Sequence, residues 1–174
     1  MNKNLKLWIL FIVTMSIYLF MMLYNLPKLI TLSNGFEPLD MLPFYDSEYI
    51  IQLFEYQENE GRAFYLYRQI PIDMVYATLF GLTYYLILKH FFQKLAWQKV
   101  SFLVFLPIVG AFFDITENIS IATMLYTFPS LPEVLLRLTP YFSLLKTSFV
   151  SLSLLVFFIS GILVLVKRRK NVPL

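Results

Sequence analysis

The sequence has no cysteine and a single histidine, His90. Without cysteine there is no disulfide, thiolate metal site, iron–sulfur cluster or cysteine nucleophile. One histidine excludes haem or zinc centres built on histidine pairs, so neither a cofactor nor a metal is expected. Charge is scarce as well. Asp, Glu, Lys and Arg make up 14% of the 174 residues, against about 25% in soluble domains. What fills the chain instead is apolar: 59% of residues are hydrophobic and mean hydropathy is +0.68. This is the composition of an integral membrane protein whose partner is the lipid bilayer. The length suits one transmembrane domain over 1–174.

The apolar runs divide the chain into four predicted membrane helices, about 7–26, 72–92, 100–128 and 133–166. Each is long enough to cross a hydrocarbon core of about 30 Å. The first reads as an uncleaved signal anchor closed by Pro27 and Lys28. A bend is expected at Pro107, within the third, and an interruption or bend at Pro140, in the fourth. The loop 28–71 between the first two is the longest polar stretch. Within it Asp46 is placed to cap a short amphipathic helix, Glu48–Glu58, with Tyr49, Ile50, Leu53 and Phe54 on one side. Gly61 is expected to break that helix, and Arg62–Ile70 to add a turn or two before Pro71. The expected fold is thus an all-α membrane protein, a four-transmembrane-helix bundle with an amphipathic extracytoplasmic segment between helices 1 and 2.

Orientation follows from charge. The net charge is only +3, and it bears on orientation rather than on nucleic-acid binding. Lys3, Lys6, Lys89, Lys94, Lys99, Lys167, Arg168, Arg169 and Lys170 lie in the head, the 89–99 connection and the tail, with no acidic residue among them. Residues 28–72 carry seven acidic residues and three basic ones. The positive-inside rule then puts both termini in the cytoplasm and the protein, multi-pass, in the plasma (inner) membrane. Trp8 and Trp97 fall beside the basic segments, where an aromatic belt belongs.

The stretch PIVGAFFDITEN, 107–118, places Asp114, Glu117 and Asn118 inside an apolar run. Spacings of three and four put them on one helix face. Counted at 1.5 Å per residue from the basic boundary, Asp114, Glu117, Asp73, Lys146 and Asn25 lie at about 22 to 31 Å, in the outer third of the membrane. Charges at such depth need partners or a purpose. The candidate polar cluster is Asp73, Asp114, Glu117, Asn118 and Lys146, with Asn25, Arg62, Tyr65 and Tyr84 as further contributors. Two readings stand: a polar chamber open to the outside, or an ion-pair set that fixes helix packing. Three acids against one lysine leave a surplus. A retained proton, Arg62 or Arg68 reaching down, or a bound cation would each settle it.

Gly61-Arg62-x-x-Tyr65, then Asp73, a tyrosine at 84 or 85, and Asp114-x-x-Glu117-Asn118 resemble a pattern in small bacterial four-helix membrane proteins of unassigned function. The resemblance spans about 46–150 and implies a fold without an activity. A looser likeness, of architecture only, is to the EXPERA-type sterol-binding and isomerase bundles. Their catalytic pattern has no counterpart here, since the one histidine, His90, lies in the basic connection at the end of the second helix and no tryptophan lies near the cluster.

Three functions compete. The first is a binding or structural protein, a subunit or chaperone of a membrane protein partner, with a self-paired cluster. The second is an enzyme or carrier for a lipid-like ligand, with a cavity at the cluster, Asp73 or Glu117 exchanging a proton and Lys146 neutralising charge. The third, less favoured, is a proton- or cation-coupled transporter, against which stand the small size and the apolar inner half. The sequence leaves the oligomeric state open.

Overall fold

A computed structural model describes residues 3–170, and every regular element among them is helical. The elements are α1 (Lys3–Phe20), a π-helical turn (Met21–Asn25), α2 (Leu26–Leu32), α3 (Ser47–Tyr56), α4 (Glu58–Phe64), a second π-helical turn (Tyr65–Gln69), α5 (Ile70–Leu95), a 3-10 turn (Ser101–Phe105), α6 (Leu106–Thr127) and α7 (Glu133–Lys170). A further short 3-10 turn covers Leu39–Met41. Joined end to end, they give four spans long and apolar enough to cross a membrane: Leu5–Leu32, Glu58–Leu95, Ser101–Thr127 and Glu133–Arg168. Residues 1–2 and 171–174, the extreme ends that the charge argument assigns to the cytoplasm, lie outside the described residues.

The prolines behave differently from the sequence expectation. Pro27 does not close the first helix, which continues to Leu32, and Pro71 does not precede the second, which begins at Glu58. A proline inside a helix lacks an N–H and crowds the carbonyl four residues back. Here the turn before each proline widens. Leu26 N–H bonds to the Met21 carbonyl and Ile70 N–H to the Tyr65 carbonyl, five residues back. Each proline then falls in the first turn of the next helical segment, where its missing N–H costs nothing. Pro107 likewise opens α6 after a 3-10 turn rather than bending a longer helix. Pro140 is buried within α7, which runs through it unbroken to Lys170.

Between the first two spans the chain is packed, not loose. Asp46 caps α3, accepting from Tyr49 N–H at 2.8 Å. Ile50, Leu53 and Phe54 are buried, Tyr49 is half-buried, and Glu48, Glu55 and Glu58 are exposed. The break after α3 falls at Glu58, whose φ is +46°, rather than at Gly61. Gly61 lies inside α4, where a Cβ would meet Gln57 Cβ at 2.9 Å and the Leu32 carbonyl at 3.0 Å. Its role is close approach to the end of α2, not termination.

Leu39, Tyr45 and the buried face of α3 join Leu29, Tyr65, Ile70, Ile121, Met124 and Leu125 in one core at this end of the bundle. At the opposite end Leu88, Phe92 and Val104 form a smaller core with Trp97 and Phe157 against it. Gly81 lets α5 touch Ala111 of α6, and Gly110 lets α6 approach Val150 of α7. These approaches bring the polar faces of the second, third and fourth spans together.

Candidate functional site

Asp73 stands one turn into α5, Asp114, Glu117 and Asn118 on one face of α6, and Lys146 about a third of the way along α7. All five side chains are buried. The Lys146 ammonium lies 2.5 Å from Glu117 Oε2 and 3.7 Å from Asp114 Oδ1. It also donates to the backbone carbonyl of Asp40 at 2.8 Å. Asn118 Nδ2 donates to Asp73 Oδ2 at 2.7 Å and to Asp114 Oδ1 at 3.3 Å. Two carboxylates on that side fix which end of the amide faces them, because only the nitrogen can donate. The carbonyl Oδ1 of Asn118 is then buried with no donor.

Three residues outside the sequence-derived set complete the network. Tyr45 donates to Glu117 Oε1 at 3.0 Å. Asp40 accepts from the Tyr65 hydroxyl at 2.5 Å on one oxygen and from Gln69 Nε2 at 3.0 Å on the other. Asp40 and Tyr45 belong to the connection between α2 and α3, which is strapped down further along. Ser143 donates to the Leu42 carbonyl, Ser47 to the Leu136 carbonyl, and the Tyr49 hydroxyl to the Glu37 carbonyl. The cluster is therefore closed at this end by the connection itself. Burial, the Glu117 charge and hydrogen bond, and the Asp40 charge all push the Tyr45 phenol above the usual tyrosine range. It stays a donor.

The other contributors separate. Tyr65 joins the network through Asp40. Arg62 does not reach down: its guanidinium donates to the Phe54 carbonyl and Asn59 Oδ1 and lies over the Phe128 ring at 4.5 Å. Arg68 is exposed. Tyr84 sits among the rings of Phe11, Phe80 and Phe157. Asn25 is buried with an unpartnered Nδ2, and Gln69 carries an unpartnered Oε1. Both are the last residue of a π-helical turn.

Asp40 raises the count to four carboxyl groups against one ammonium, and neither Arg62 nor Arg68 offsets the excess. Among the described residues no three His, Asp or Glu side chains converge as metal ligands. Two surface pockets open elsewhere, one against α1 and the start of α5, the other at residues 96–103; neither includes a cluster residue. Toward the basic end four buried hydroxyls have internal partners. Thr14 and Thr83 bond to each other at 2.8 Å, and Ser153 and Ser160 bond to their own helix. Chemically the site is a desolvated acid–amide–amine network with its single cation engaged. Compared with protein-family models, curated proteins and solved structures, the chain matches none.

Proposed function

We propose that the chain is a multi-pass protein of the plasma (inner) membrane, of the binding or partner-protein class, whose polar cluster locks the bundle rather than turning over a ligand. In this reading the basic end faces the cytoplasm and the strapped connection, with the cluster beneath it, faces the outside. The likeness to small bacterial four-helix membrane proteins belongs to the same proposal and adds no activity. Its partners are the bilayer and another membrane protein; nucleic acid is not among them.

One observation carries the lock. The Lys146 ammonium is taken up by Glu117, Asp114 and the Asp40 carbonyl, which come from α6 and from the connection. A buried ion pair of this kind adds little net stability, yet removing one partner costs about 3–5 kcal/mol because the other is left uncompensated. Lys146→Met is therefore expected to lower the melting temperature in detergent sharply. Glu117→Gln in the same chain should restore part of the loss. Strictly additive losses in the double-mutant cycle would remove the lock.

A second reading, an enzyme or carrier for a lipid-like molecule, is favoured by the buried Asn118 Oδ1, an acceptor without a donor beside Asp73. Its signature would be a lipid-like molecule that co-purifies in mild detergent and is lost from Asn118→Leu. A proton- or cation-coupled transporter is less supported, since toward the basic end the Thr14, Thr83, Ser153 and Ser160 hydroxyls are engaged with one another or with their own helix.

A further inference from the structure

The connection between the second and third spans forms a pocket of its own. Ala96 ends α5 in a left-handed conformation, φ 58°, and Trp97 N–H turns back to the Phe92 carbonyl at 3.1 Å. The Trp97 ring consequently meets Phe92 edge-on at 5.2 Å. Ala96, Trp97, Gln98, Lys99, Val100 and Leu103 line a space of about 630 Å³. Its floor is apolar, continuous with the Leu88, Phe92 and Val104 core. Its polar side chains are Gln98 and Lys99, both exposed. Phe102 and Phe105, exposed on the following 3-10 turn, share one face at a spacing of three.

The charge around it has one sign. Lys167 donates to the Lys94 carbonyl at 2.8 Å, which brings the end of α7 beside the end of α5. Lys89, Lys94, Lys99, Lys167 and Arg168 thus gather at this end, while the sequence has no Asp or Glu between 74 and 113 or after 133. Among the described residues, Lys94, Lys99 and Arg168 have no carboxylate partner.

We propose that this pocket binds the headgroup of an anionic glycerophospholipid of the surrounding bilayer. Lys99 and Gln98 hold the phosphate, Trp97 packs at the glycerol level, and the Phe102/Phe105 face takes an acyl chain. An amphipathic cavity with a cationic rim at the end of a membrane span matches a molecule with an anionic head and an apolar tail. The proposal rests on the membrane-spanning reading but not on which side the basic end faces.

Trp97 supplies the probe, since the chain has only two tryptophans. A Trp8→Phe variant is reconstituted in bilayers containing dibrominated phosphatidylglycerol or dibrominated phosphatidylcholine, and quenching of Trp97 fluorescence is compared. The anionic lipid is expected to occupy the site about fivefold more strongly, roughly what one lysine at a charged surface supplies. Lys99→Gln should bring the two lipids to parity, and about 1 M salt should reduce the preference. If Trp8→Phe folds poorly, the same Lys99→Gln comparison is made in the two-tryptophan protein. Equal quenching by both lipids with Lys99 in place would overturn the anionic site and leave the spanning reading intact. Absence of quenching by either lipid would overturn both.

Discussion

Lys146 is the residue on which the network turns, but Tyr45 tests whether the connection is part of it. Its hydroxyl is the donor to Glu117 Oε1, and Glu117 is fully buried. Tyr45→Phe leaves that oxygen without a donor, and a loss of about 1–3 kcal/mol is expected in detergent unfolding. The pH dependence has a definite sign. Because the folded state raises the Tyr45 pKa, its contribution is complete below the ordinary tyrosine value near 10 and is lost as pH rises beyond it. Tyr45→Phe should accordingly show a flatter fall of melting temperature above about pH 10 than the parent. An identical slope in both proteins would separate Tyr45 from the network. Depth counting brought Asp73, Asp114, Glu117 and Lys146 to one level because each lies on a regular helix, and helix-face spacing added Asn118. The count also put Asn25 there, which the structure places in a π-helical turn with its Nδ2 unpartnered. Asp40 and Tyr45 escaped it, since a residue in irregular chain has no fixed rise to count.

The elements show which local signals survive tertiary packing. The amphipathic pattern of Ile50, Leu53 and Phe54 and the Asp46 cap gave α3 to within two residues at each end, because period and cap are local. Proline and glycine misled, because their effect depends on the next turn and on what lies opposite. Pro27 and Pro71 are absorbed by widened turns, and Gly61 answers the Leu32 carbonyl across the gap. The glycines also separate by partner. A Cβ at Gly81 would stand 2.8 Å from Ala111 Cβ and 3.3 Å from the Pro107 carbonyl, both on α6. Gly81→Ala should force α5 and α6 apart and cost about 1–3 kcal/mol. At Gly161 the nearest atom is the Phe91 ring at 3.4 Å, so Gly161→Ala should fall within about 0.5 kcal/mol of the parent. Thermal unfolding of the two variants side by side checks the pair, and equal effects would refute the close crossing.

At the scale of the whole molecule the chain has a basic end and an acidic end, joined by four spans. Its topology is open to a direct test because there is no native cysteine. Glu60 and Gln93 are both exposed, near opposite ends of the second span, whereas Gly61 is buried. Glu60→Cys in intact cells should react with an impermeant thiol reagent, and Gln93→Cys should react only after the membrane is permeabilised. The reverse pattern would turn the molecule over and place the cluster near the cytoplasm.

By itself, the sequence determined the four helices long and apolar enough to cross a membrane, the charge asymmetry and the common level of the five buried polar residues. Composition and hydrophobic run length are sums over the chain, and depth along a helix is residue number times a fixed rise. The fold alone decided whether that level holds an open chamber or a closed network. It did so by laying residues 33–57 back over the spans, so that the Asp40 carbonyl meets Lys146 and Tyr45 meets Glu117. Those contacts join residues 106 and 72 positions apart. No periodicity carries such pairs; they exist only where packing of the connection against α6 and α7 brings the backbones together.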